Sequence, residues 1–207
     1  MSGPPGAAPS PAQRAIAAVS LAMSRIGGMV LLASAVLVSA EILARTLLGV
    51  SMNVATELAS YGLAVAASWA FAETLLHRGH IRVDVLYRRF PPLGRAALDL
   101  VSAASLALFG ALLAWRTLGV LLESARLGAR ENTPLATPLV IPQSLWVAGV
   151  AWFALVALVV ALRAGAALAR RDAATVARVA GPAGVEEEFD EALADAEARL
   201  GAAVEQR

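Results

Sequence analysis

The sequence predicts an all-α integral membrane protein with four transmembrane helices. Of its 207 residues, 58% are hydrophobic and 16% are charged, whereas about 25% of the residues of a soluble domain are charged. The hydrophobic residues also form four blocks, each of which reaches the roughly 20 residues that a helix needs to cross a bilayer. A closed β-barrel would instead show alternating segments of about 10 residues, and the blocks show no such alternation.

The blocks define a membrane domain with two ends outside it. The predicted spans are residues 26–48, 55–76, 98–122 and 143–162, which together form the membrane domain 26–162. Residues 1–25 begin with a stretch rich in Pro, Gly and Ala and lack the early positive charge of a cleavable signal peptide. We therefore predict that they form a flexible tail and a lead-in to the first span.

The C-terminal segment, residues 163–207, changes character along its length. It begins with basic residues, and from Glu186 onward it holds eight acidic residues against two arginines. Apolar residues recur there at every third or fourth position, which predicts a cytoplasmic tail with an acidic amphipathic helix. A solvated charged tail fits the same composition.

The distribution of arginine predicts the orientation in the membrane. Two arginines precede the first span, five lie between the second and third, and Arg163, Arg170, Arg171 and Arg178 follow the fourth. The connection "GVSMNV" has none, and "ESARLGARENTPLATPLVIP" has only two. Because cytoplasmic loops carry an excess of basic residues, both termini and the connection between the second and third spans are predicted to be cytoplasmic.

That connection, "HRGHIRVDVLYRRFPP" at residues 77–92, predicts an interfacial amphipathic segment. Its apolar residues have helical spacing, so that one side can lie in the acyl boundary while the arginines contact anionic lipid headgroups. An ordinary positively charged loop would carry the same net charge. The interfacial basic residues are Arg78, Arg82, Arg88 and Arg89.

The order of residues within this segment resembles the signature of a known family. "GHIRVDVL" contains the His-Ile-x-Val-Asp pattern of the small membrane subunit of tripartite ATP-independent periplasmic (TRAP) transporters, the DctQ-like family. Arg45 at the end of the first span and Glu57 in "TEL" agree with that layout, as does "TPLATPLVIPQSLW" before the fourth span. Thr46, where an aromatic residue is common, departs from it. The signature positions are Gly79, His80, Ile81, Val83 and Asp84.

The resemblance covers roughly residues 26–162 and implies a non-catalytic scaffold subunit with no cofactor and no metal. Such a small permease subunit works in a bacterial inner membrane with a large permease subunit. A periplasmic binding protein delivers the substrate, often an organic acid, for uptake driven by sodium. The signature residues, with Arg45 and Glu57, would serve structure and assembly. Nothing in the sequence indicates a nucleic-acid partner.

Among the charged residues inside predicted spans, Glu41 and Arg116 lie away from the span ends, where a charge costs about 2.5–3.5 kcal/mol on insertion scales and should have a partner. Glu41 can pair with Arg45, four residues later in the first span. It can also pair with Arg116 in the third span, which is predicted to lie at a similar depth and would then tie the two helices together. Alternatively, Arg116 extends its side chain to the interface.

Other functions fit less well. A four-helix protein with a membrane glutamate, Glu41, is similar to small proton-coupled exporters, but these are shorter and lack a basic interfacial segment. A haem-binding redox subunit needs histidines inside its spans, and both histidines lie at the cytoplasmic boundary. His77, His80 and Asp84 are spaced to share one helix face, yet a zinc site there would lack a fourth protein ligand.

Overall fold

The computed structural model describes residues 10–49, 54–78, 90–133 and 135–182. Within these ranges the secondary structure is helical apart from one isolated β-bridge, so the predicted all-α class is confirmed. The helices in chain order are α1 (Pro11–Leu48), α2 (Ala55–Leu76), α3 (Pro92–Leu127), α4 (Val140–Ala169) and α5 (Ala173–Ala180).

Three of the described helices, α1, α3 and α4, are long and apolar enough to cross a membrane. Their most apolar stretches have mean hydropathies of 2.1, 2.0 and 2.5. Helix α2 has the bounds of the second predicted span, and its 22 residues extend about 33 Å at 1.5 Å per residue. Its most apolar stretch does not reach the hydropathy that marks α1, α3 and α4 as candidate spans, so the fourth span stays a prediction.

Helix α1 begins much earlier than the first predicted span. Residues 11–25, part of the segment that we predicted to form a flexible tail and a lead-in to the first span, are helical. The start has a clear local cause, because the Ser10 hydroxyl accepts a hydrogen bond from the backbone N–H of Gln13, whose side chain accepts one from the Ser10 N–H. Pro11 follows at the first helical position, where its missing N–H costs nothing.

Helices α1 and α2 pack closely in antiparallel orientation through small residues. A Cβ atom added at Gly27 of α1 would lie 3.1 Å from the Cα of Ala66 in α2. Likewise, Gly62 of α2 lies against the hydroxyl of Ser34 in α1. Side chains of this size let helix backbones approach within a membrane. Gly62 and Ala66, four residues apart on α2, therefore lie on the face of α2 that packs against α1.

Helix α4 packs against both α2 and α3. Gly149 of α4 lies directly against Ser68 of α2, and Gly110 of α3 lies against Ala154 of α4. The registers show that α2 and α4 run in the same direction and that α1 and α3 run in the opposite one. The end where α2 and α4 begin and α3 ends is called the loop end below, and the opposite end is the α5 end.

Long-range polar contacts also fix the helices. The indole N–H of Trp152 in α4 donates to the hydroxyl of Ser20 in α1 at 3.0 Å, and Ser20 is fully buried. The indole N–H of Trp69 in α2 donates to the backbone carbonyl of Leu145 in α4 at 2.9 Å. These tryptophans therefore join helices within the chain.

The short helix α5 packs on α3 and α4 and completes an alanine- and valine-rich core at the α5 end. Val176 on α5 and Ala164 on α4 are both fully buried there. Asp172 caps α5, since its carboxylate accepts hydrogen bonds from the backbone N–H and the hydroxyl of Thr175 at 2.9 and 2.6 Å. The hydrogen bond from the Thr175 hydroxyl lowers the pKa of Asp172 below its ordinary value.

Candidate functional site

Glu57 is the centre of a polar junction at the loop end. It lies in the first turn of α2, and the residue is only 6% exposed. The hydroxyl of Tyr61, one turn later, donates to Glu57 Oε1 at 3.0 Å. The hydroxyl of Thr133, in the connection between α3 and α4, donates to Glu57 Oε2. Because a buried carboxylate is tolerated only when it is hydrogen-bonded, these contacts attach α2 to that connection.

The connection, residues 128–139, is shaped by its own backbone. The N–H of Glu131 donates to the carbonyl of Thr137, and the N–H of Leu139 donates to the carbonyl of Ala129, both at 3.0 Å. These backbone hydrogen bonds join the two arms of the connection, and the contact of Thr133 with Glu57 attaches it to α2. The described residues on the two sides of position 134 are therefore held together at this end of the bundle.

Tyr61 links a second acidic residue to the junction. Its hydroxyl lies 3.0 Å from Glu57 Oε1 and 3.4 Å from Glu131 Oε2. A phenol carries one proton, so it donates to one carboxylate at a time, and the shorter distance favours Glu57. The sequence analysis did not identify Tyr61 or Glu131. Tyr61 could have been found from its position four residues after Glu57, on the same face of a helix.

Glu41 makes a second junction at the loop end. Val54, the residue before α2, gives no side-chain cap to the helix. Instead, Glu41 Oε2 of α1 accepts a hydrogen bond from the backbone N–H of Ala55 at 2.9 Å. A carboxylate at a helix N-terminus is also favoured by the helix dipole. Glu41 thus joins α1 to α2 and has a structural reason for its place within a predicted span.

These two junctions lie in the part of the chain that matches a known family. The family model described as "Tripartite ATP-independent periplasmic transporters, DctQ component" matches residues 34–166, well over half of the chain. The chain belongs to this family. No curated protein and no solved structure matches it significantly. Membership of this family makes the chain the small permease subunit of a TRAP transporter and a multi-pass membrane protein, as the signature had suggested.

Glu41 and Arg116, both among the described residues, do not form the salt bridge that the sequence suggested as one alternative. The guanidinium of Arg116 lies over the ring of Trp115, 5.5 Å from its centroid. Glu41 contacts the first residue of α2, at the loop end itself, whereas Arg116 lies about 16 Å along α3 from that end at 1.5 Å per residue. The two residues lie on α1 and α3, which do not form one of the main packed helix pairs.

At the other end of α2, the chain leaves the helix just before the family signature. His77 Nε2 lies 2.9 Å from Glu73 Oε1, and Arg78 has a left-handed backbone with φ of 55°. The predicted acidic helix within 183–207 lies outside the described residues, as do the signature positions and three of the predicted basic residues, namely Gly79, His80, Ile81, Arg82, Val83, Asp84, Arg88 and Arg89.

Helix α3 contributes one further residue that the sequence analysis missed. Asp99 is 1% exposed, although it lies near the start of α3, where the chain returns from the signature segment. It lines a cleft together with Arg95 of α3 and Ala173 of α5. A carboxylate among alanines near the end of a predicted span was the available signal. Arg45, by contrast, is exposed in the last turn of α1.

Proposed function

We propose that this small permease is a scaffold that carries no solute itself. In this proposal it holds a large permease subunit, which takes up an organic acid with sodium after a periplasmic binding protein has delivered it. The observation that supports the proposal is the use of the acidic residues at the loop end. Glu41 and Glu57 both accept hydrogen bonds that join one helix or loop to another. These contacts give both carboxylates a role in the structure of the bundle.

The continuity of the helices supports the same reading. Secondary transporters commonly bind substrate and ions where membrane helices are interrupted, because the free backbone groups at the breaks act as ligands. Each of the four long helices described here is continuous from its first residue to its last. In the interior of α1, α2, α3 and α4, the backbone N–H and C=O groups are therefore paired along the helix and are not free to bind a solute.

The stand-alone exporter has less support. An exporter that uses Glu41 would need this carboxylate to bind and release protons in a cavity that solute can enter. The carboxylate instead accepts the Ala55 N–H, and protonation would weaken the bond that caps α2. Coupling through Glu41 would therefore disturb the α1–α2 junction in each transport cycle.

The arginine distribution suggests how the scaffold is oriented. By the positive-inside rule, the loop end faces the periplasm and the α5 end faces the cytoplasm. The connection between α3 and α4, attached to α2 through Glu57, is then one part of this chain that a periplasmic binding protein would meet. The signature segment would lie on the cytoplasmic surface against anionic headgroups.

Reconstitution tests the proposal directly. The purified small subunit in liposomes should take up no organic acid under a sodium or a proton gradient, whereas liposomes that also contain the large permease subunit and the binding protein should. Uptake by the small subunit alone would refute the scaffold role.

A conservative variant separates the scaffold from the exporter. Glu41→Gln keeps an oxygen that accepts the Ala55 N–H, so the complete transporter should keep its uptake. Glu41→Ala removes the acceptor and should lower the yield of folded protein, since loss of a helix cap costs about 0.5–2 kcal/mol. If Glu41→Gln folded normally yet abolished uptake, a protonation role for Glu41 would be supported instead.

A further inference from the structure

The second half of α3 carries a cation on an exposed apolar face. Arg116 is the only charged residue between Asp99 and Glu123, so it lies within a long apolar stretch. Its described contact is with the ring of Trp115, which is itself 65% exposed. Within the described part of the chain, no carboxylate pairs with this guanidinium. A charge in such a position calls for an anionic partner.

The direction of the side chain disfavours a headgroup as that partner. Arg116 is nearer to the C-terminal end of α3 than to its N-terminal end. Side chains on a helix lean toward its N-terminus. Arg116 therefore leans away from the membrane surface that is closer to it. A stacked position over Trp115 agrees with this direction, whereas reaching the nearer surface would require the side chain to turn back along the helix.

A glycine next to Arg116 marks the same face independently. Gly119 lies three residues later, is exposed, and has no atom within 4 Å of the position where a Cβ would be. Glycine in a helix interior is less stable than alanine, and this chain gains no close packing of its own from Gly119. Glycine on a membrane helix allows the backbone of another helix to approach.

We propose that this face of α3, formed by Trp115, Arg116 and Gly119, docks a membrane helix of the large permease subunit. That helix carries an Asp or Glu carboxylate, which pairs with Arg116, and its backbone packs over Gly119. The charge of Arg116 sets the chemistry of the partner, because an anion compensates a guanidinium in the hydrocarbon region. This inference rests on the proposed scaffold function and adds to it the contact surface and the acidic partner.

Because the chain contains no cysteine, the surface can be tested with single introduced cysteines. Gly119→Cys carries a benzophenone maleimide, and the complex is irradiated in membranes that contain both subunits. Gly28→Cys is the matched control, since Gly28 is also an exposed helix glycine with open space around it, on α1. We expect an adduct with the large subunit from position 119 and little or none from position 28.

A second variant tests the charge. Arg116→Gln should weaken binding of the large subunit by about thirtyfold or more, measured as lost co-purification, because it leaves a buried carboxylate of the partner unpaired. Arg126→Gln, at an exposed position in the last turn of the same helix, should leave co-purification unchanged. The isolated Arg116→Gln subunit should fold as well as the wild type.

The outcomes separate this inference from the proposed function. If the wild-type subunits co-purify but position 119 gives adducts only with lipid or with a second copy of this chain, the docking surface is refuted and the scaffold role stands. Equal adducts from positions 28 and 119, or full co-purification with Arg116→Gln, would likewise overturn it. Failure of the wild-type subunits to associate would refute both.

Discussion

Replacing Gly149 with alanine should move α2 away from α4. A Cβ atom at Gly149 would lie 2.5 Å from Cδ1 of Trp69, 2.6 Å from the hydroxyl oxygen of Ser68 and 2.9 Å from the backbone carbonyl carbon of Ser68. Carbon atoms in favourable contact are about 3.5–4.0 Å apart. The side chains can rotate away, but the backbone of Ser68 can do so only if the helix shifts, by about 0.6 Å or more.

The expected loss of stability follows from two opposing effects. Overpacking a tight contact costs about 1–3 kcal/mol. Replacing glycine by alanine in a helix interior raises the free energy of unfolding by about 1 kcal/mol through helix propensity. Gly149→Ala should therefore lower the free energy of unfolding by up to about 2 kcal/mol. The shift also strains the 2.9 Å hydrogen bond between Trp69 and Leu145, which joins the same two helices.

Gly119→Ala is the matched control for this experiment. It introduces the same methyl group into a helix, but at a position with no atom within 4 Å. It should therefore show only the gain of about 1 kcal/mol from helix propensity. Thermal unfolding of both variants in one detergent, followed by tryptophan fluorescence, measures the difference. For a chain of this size, 1 kcal/mol corresponds to about 2–4 °C in Tm.

The two variants should shift Tm in opposite directions, down for Gly149→Ala and up for Gly119→Ala. If Gly149→Ala were as stable as Gly119→Ala, the close approach of α2 and α4 would be refuted. The parallel register of these helices, which brings Glu57 to the loop 128–139, would then lose its main packing support. A lower Tm for both variants would instead contradict the open space at Gly119.

Three further predictions concern the junctions and the orientation. Glu57→Ala should speed hydrogen exchange of the Glu131 amide, because the loop 128–139 loses its attachment to α2, while Glu123→Ala, an exposed change at the end of α3, should not. The pKa of Asp172 is lowered in the folded state, so its stabilising effect is complete above its ordinary value of 3.8 and is lost as pH falls through the lower folded value. The stability difference between wild type and Asp172→Asn should accordingly vanish in acid, and a difference that persisted there would argue against the cap. Reporter fusions should indicate cytoplasm at Arg89 and after Arg171, and periplasm near Ser51 and Asn132, whereas a periplasmic signal at Arg89 would reverse the orientation.

The sequence by itself determined the class of the protein, one helix in full, and its family. Composition and the lengths of the apolar blocks were sufficient for the all-α membrane class, and the bounds of α2 at Ala55–Leu76 were predicted as the structure has them. The His-Ile-x-Val-Asp signature and its surrounding layout indicated the family that matches residues 34–166. These features are local, since each depends on residue types and spacings within one segment.

Other features were local but were overlooked. The capping box of Ser10 and Gln13 starts α1 fifteen residues before the predicted span, because a hydropathy block marks the part of a helix that enters lipid and not the helix itself. Asp172 and Thr175 similarly cap a short helix within a segment that we had described only by its charge. The polar residues that begin a helix were informative in both places.

Only the tertiary structure decided which polar side chains meet. Thr133 and Glu57 are 76 residues apart in sequence, and Trp152 and Ser20 are 132 residues apart. Such pairs depend on the depth and rotation of each helix, which small residues such as Gly62 and Gly149 set by allowing close approach. Hydrophobic periodicity fixes neither depth nor rotation, so it left Glu41 with two possible arginine partners. Packing against α2 gave Glu41 the backbone N–H of Ala55, because the first N–H groups of a helix have no partner within the helix and its dipole favours a carboxylate there.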